Sequence, residues 1–145
     1  MALLVEGPGV PAAQCIDDPV LTLDLAPTIS DYAGSELPHC MHGRSMRSLI
    51  GSRAPERDFA RSEWHLRPSR SGVELRLHTV RTRRHKLTLE QLSGAGGLYA
   101  LQEDPGEMHN CFDDPASAAV RRELADMIAS RPDDAVAPLP QVGMA

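Results

Sequence analysis

From Val73 to Val80 the side chains change character at nearly every step. Val73, Leu75, Leu77 and Thr79 alternate with Glu74, Arg76, His78 and Val80. A period of two marks a strand with one face packed and the other wet. This stretch limits the fold more than any other, because such a strand needs partners to be stable. The partners expected are close in sequence: Asp58–Leu66, His85–Leu89 and Leu98–Leu101, with Gly72–Thr82 as the central member. Ser69-Arg-Ser-Gly72 and Ser93-Gly-Ala-Gly-Gly97 supply the turns. The expectation is an antiparallel meander.

One face of that sheet needs a cover. Ala116, Ala119, Val120, Leu124, Met127 and Ile128 fall on one stripe of a helix over 116–129. Asp113 and Asp114 precede it, where the helix dipole favours negative charge, and Pro132 ends it. Aromatic residues are only 3% of the chain, so aliphatic side chains must build most of the core.

The first third reads differently. Ala2–Val5 is a short apolar run stopped by Gly7-Pro-Gly9, the pattern of a buried strand. Leu21, Leu25, Ile29 and Tyr32 or Ala33 recur at helical spacing, with Pro27 in the first turn and Gly34 as the stop. A short helix is expected over Ser45–Ile50, capped by Ser45 and ended by Gly51.

Net charge follows the same division: −4 over residues 1–52, +5 over 53–90 and −6 over 91–145. A basic centre between acidic ends argues for internal pairing and against nucleic acid as a partner. The three cysteines, Cys15, Cys40 and Cys111, do not form a disulfide framework. No apolar run suffices to cross a membrane. Met1–Glu6 lacks the basic n-region of a signal peptide, which predicts a cytoplasmic chain.

Several strings, in order, resemble the C-terminal third of sulfatases of the alkaline-phosphatase-like superfamily. They are Leu23-Asp-Leu-Ala-Pro-Thr28 with Ala33-Gly34; His42-Gly-Arg-Ser45 with Leu49-Ile50 and Gly51; Thr79-Val-Arg-Thr-Arg-Arg-His-Lys-Leu87; and Leu98-Tyr-Ala-Leu-Gln-Glu-Asp-Pro-Gly-Glu-Met-His-Asn110. Phosphonate and phosphodiester hydrolases share the layout. The resemblance implies an α+β fold. Residues 1–52 are then the last strand and helices of the large α/β domain, 53–133 the sulfatase C-terminal subdomain, and 134–145 a tail.

The resemblance also implies what this stretch does not carry. The family's formylglycine nucleophile and its calcium ligands precede the resembled segment, so no catalytic, metal or cofactor residue is expected here. Cys40-Met-His-Gly-Arg44 has the Cys-to-Arg spacing of the formylglycine signature, but His42 stands where the Pro belongs. His39, Cys40 and His42 are too tightly spaced for a zinc site, and Asp17-Asp18 alone cannot satisfy calcium. The departures at Ala100 and His85, where the family has Asp and Tyr, point to divergence.

Substrate-framing residues are expected at His42, Arg44, Trp64 and His65. Arg81, Arg83, Arg84 and Lys86 suggest an anion clamp. The competing expectation is a structural ion pair between Arg81 and an acid of the 103–107 turn, Glu107. Three functions stand open: a catalytically incompetent C-terminal part of a sulfatase, alone or split from its N-terminal portion; a free-standing module for sulfated or other anionic ligands; and an unrelated His/Cys enzyme. The partners implied are the N-terminal sulfatase portion or a second copy.

Overall fold

The structure is a computed structural model, and it describes residues 3–36, 41–52, 57–66, 68 and 72–132. Met1, Ala2, His39, Cys40, the 52/53 boundary, the turn residues Ser69–Ser71 and the tail 134–145 lie outside the described residues or at their margins. Helices α1 (Leu25–Ala33) and α2 (Arg47–Ser52) come first. Strands β1 (Phe59–Leu66), β2 (Leu75–Thr82), β3 (His85–Glu90) and β4 (Gly96–Ala100) follow, and α3 (Ala118–Ala129) comes last. The strands pair antiparallel in sequence order, as the turn chemistry predicts.

Register decides which sheet face is core. Val80 pairs with Leu87, and Leu87 with Leu98, so three aliphatic side chains line up across β2, β3 and β4. Leu124 and Ile128 of α3 lie on them, and all five are buried, with Phe59, Leu89, Phe112, Val120 and Met127 packed around them. Each such burial stabilises by about 1.5–3 kcal/mol. The alternation in β2 is therefore real, but the helix covers the face of Val80, not that of Leu75 and Leu77. A strand's period cannot say which of its two faces a later helix will meet. Ala116 and Ala119, expected on the apolar stripe, are exposed.

Polar residues fasten the ends. The Asp114 carboxylate accepts from the Ala116 amide at 2.9 Å, capping the turn that leads into α3. The Asn110 Oδ1 accepts from the amides of Leu98 and Phe112, both at 3.0 Å, and its Nδ2 donates to the Gly96 carbonyl at 3.2 Å. That side chain clips the loop after β4 onto the sheet.

The first third departs from expectation at Leu3–Val5 and at Gly51, and adds a buried polar face on α1. Leu3–Val5 forms no strand, and Leu4 is 96% exposed, because a strand needs ladder partners that the described residues do not offer. On α1 the buried residues are Pro27 and Thr28, with Asp24 just ahead of them, while Ile29 is 68% exposed. Helical spacing located α1, and Ile29 lies open as expected of a face that in the resembled fold packs on the large α/β sheet; what spacing did not show is the polar face, Asp24 and Thr28, that is buried here. Gly51 lies inside α2, which begins at Arg47, and not at its end. Gly34 does end α1, at φ 67°, where a side chain would be strained. No helix among the described residues is long and apolar enough to cross a membrane.

Candidate functional site

Asp24 organises the junction between the first third and the sheet. Its side chain is almost fully buried, so its charge must be compensated. Oδ2 accepts from the Leu21 amide at 2.7 Å; Oδ1 accepts from the Arg44 amide at 2.9 Å and from Arg57 Nη2 at 2.7 Å. One turn later, Thr28 Oγ1 donates to the Asp24 carbonyl at 2.5 Å and accepts from the Met46 amide at 2.9 Å. Gly43 lets the two segments touch, since a Cβ there would overlap the Leu23 carbonyl. Thus Leu23-Asp-Leu-Ala-Pro-Thr28 and His42-Gly-Arg-Ser45 are two halves of one polar joint, over which Met46, Leu49 and Ile50 are buried.

This joint presents His42 and the Arg44 side chain outward, both exposed. Beside it, Ser45 Oγ donates to Asp31 Oδ2 at 2.5 Å and Arg47 Nη1 donates to Asp31 Oδ1 at 3.0 Å. The Ser45 hydroxyl first, and Arg47 next, hold the Asp31 carboxyl below its ordinary range. Ser45 Oγ also accepts from the Arg47 amide at 3.2 Å, at the start of α2.

Trp64 and His65 lie on opposite faces of the sheet, because neighbours in a strand point to opposite sides. Trp64, 53% exposed, stands opposite Leu77 on the face away from α3. His65 lies on the α3 side, where its ring stacks on His78 at 5.5 Å and its Nε2 is 3.2 Å from His78 Nε2. Glu63, directly opposite His78, completes a group of three possible metal ligands. Burial is the main cause that lowers the His78 pKa. Sequence reading missed this group because His78 joins it only through strand register.

The basic cluster divides. Arg81 and Lys86 are cross-strand partners and meet Glu107, Lys86 Nζ at 2.5 Å and Arg81 Nη1 at 3.8 Å. Arg83 pairs with Asp18, which ties the first third to the sheet a second time. An anion clamp would have to compete with both carboxylates.

The calcium that the resemblance implies does not fit this donor set. Calcium takes about six to eight oxygen ligands. Among the described residues, the one group of three or more metal-capable side chains offers two imidazoles and one carboxylate. Asp18 is already engaged by a guanidinium.

Residues 1–133 match the family described as N-sulphoglucosamine sulphohydrolase, C-terminal. A Delta 4,5-hexuronate-2-O-sulfatase of Bacteroides thetaiotaomicron is 33% identical over 141 residues, covering 90% of this chain and 29% of that protein. The solved structure of a 2-O GAG sulfatase superposes with a TM-score of 0.75 at 28% identity, over 85% of this chain and 27% of that one. A phosphonate monoester hydrolase from Silicibacter pomeroyi gives 0.72 at 27% identity, over 86% and 27%. The chain spans less than a third of the length of each.

Proposed function

The chain belongs to the N-sulphoglucosamine sulphohydrolase C-terminal family, and on that premise we propose that it walls and frames the substrate cleft of a sulfatase whose reaction centre lies elsewhere. The observation that carries this reading is the Asp24 joint. A buried carboxylate, a guanidinium and two backbone amides are committed to fixing the loop that holds His42 and Arg44. Beside that joint, Leu23 and Ile29 stay open, as they would where the α/β portion of a sulfatase docks. The names of the relatives support a sulfated saccharide as the substrate of the assembled enzyme.

The nucleophile and the electrostatic stabilisation of the leaving sulfate must come from that other portion. This chain contributes a positioned cation, Arg44, and an imidazole, His42. Mixing the purified chain with the N-terminal portion of a related sulfatase tests the reading. The chain alone should turn over no aryl sulfate. The mixture should hydrolyse a sulfated saccharide, with KM raised by Arg44→Ala. Turnover by the chain alone, abolished by Cys40→Ala, would contradict it. Preference of the mixture for a phosphonate monoester would move the substrate class to that of the second neighbour.

A further inference from the structure

We propose that Glu63, His65 and His78 form a surface site for a divalent transition cation of the zinc class, held by two imidazole nitrogens and one carboxylate oxygen with a fourth position open. The ligand atoms of the three side chains all lie within 4.8 Å of one another. Strand geometry brings them together. Glu63 and His65 are two residues apart on β1 and share a face, and His78 stands opposite Glu63 on β2.

Spacing favours a metal. A tetrahedral ion with Zn–N bonds of about 2.0–2.1 Å holds two nitrogens about 3.3 Å apart. The two Nε2 atoms are 3.2 Å apart. The rings are nearly parallel, 9° between planes, so they must turn for both lone pairs to reach one ion. His65 is exposed and has room to turn. Without metal, the same spacing suits a hydrogen bond between two neutral imidazoles.

The surroundings orient the carboxylate and also oppose the ion. Arg131 Nε lies 2.7 Å from Glu63 Oε1, leaving Oε2 for a metal. Arg61, on the same face of β1, donates to the Met127 carbonyl and to Ser130 Oγ at the end of α3. Both guanidinium groups lower the affinity for a cation by like-charge repulsion. Two imidazoles and a carboxylate suit zinc, and calcium with its demand for oxygen is disfavoured.

Calorimetric titration of the full chain with zinc chloride, in chelator-free buffer, tests the site. One ion per chain should bind, and excess calcium should not displace it. His65→Ala should weaken binding by about tenfold or more, and His42→Ala should leave it unchanged. Because His78→Ala removes a partly buried ring, ring-nitrogen NMR of the unsubstituted chain provides the second reading. The Nε2 signals of His65 and His78 should shift together on adding zinc. Absence of binding, binding unaffected by His65→Ala, or binding lost in Cys40→Ala or His42→Ala would overturn the assignment.

Discussion

In residues 57–132 the most deeply buried side chains are neighbours: Val80, Leu87, Leu98, Leu124 and Ile128 touch across one sheet–helix interface. In residues 3–52 Met46, Leu49 and Ile50 are buried, yet Leu4, Leu23 and Ile29 are more than half exposed, and two polar groups, Asp24 and Thr28, are buried among them. One region closes an apolar core of its own. The other is held by a charged joint and leaves apolar surface for something else to cover. A hydrophobic core is non-directional and tolerant, whereas a buried carboxylate depends on every partner being in place. The two regions should therefore fail in different ways.

The largest effect is expected at the apolar core. Leu124→Ala should cost about 3–5 kcal/mol in urea unfolding followed by circular dichroism. A cost below about 1 kcal/mol would mean that α3 does not hold the sheet. Next comes the joint. Asp24→Ala strands the Arg57 guanidinium and two amide donors, and should destabilise residues 21–50 by about 3 kcal/mol. The unfolding midpoint of the sheet and α3 should barely move. If both regions lost stability together, they would be one cooperative unit.

Smaller effects sharpen the picture inside the sheet. Arg81 is mostly exposed and 3.8 Å from a carboxylate that Lys86 already holds, so Arg81→Ala should change stability by no more than about 0.5 kcal/mol. Glu90 gives a pH handle. Its carboxylate accepts from Ser93 Oγ and from the amides of Arg76, Ser93 and Leu92, closing the β3–β4 turn. The Ser93 hydroxyl first, then the amides, lower its pKa from 4.5 to about 2. A depressed folded pKa stabilises fully above the unfolded value, and the contribution is lost as pH falls from 4.5 toward 2. Glu90→Gln should flatten the acid dependence of the melting temperature in that window. An unchanged slope would remove Glu90 from the account.

Much of this was legible in the residues. The alternation around Leu75–Val80 and the stripe of Val120, Leu124 and Ile128 place the strands and α3 within a few residues, because periodicity reports local geometry directly. What periodicity cannot report is the neighbour across the chain. The helix-covered face was not predicted, since it depends on where Val80, Leu87 and Leu98 align. The buried side of α1, Pro27 and Thr28 with Asp24 just ahead, was not foreseen, because it depends on the segment around Gly43–Met46 that packs on it. His65 was singled out but Glu63 and His78 were not, for the same reason of register. The motif strings fared better than spacing as guides to the joint. Asp24, Thr28 and Gly43 sit in those strings, although only the fold gives each a job.

Amide hydrogen exchange on the whole chain tests the contrast between the two regions most directly. Slow exchange is expected through β2, β3 and α3, where backbone bonds lie over the apolar core. Fast exchange is expected over residues 3–33, whose apolar side chains lack a cover. Equal protection of both regions in a monomer would contradict the account, because the first third would then have closed a core of its own.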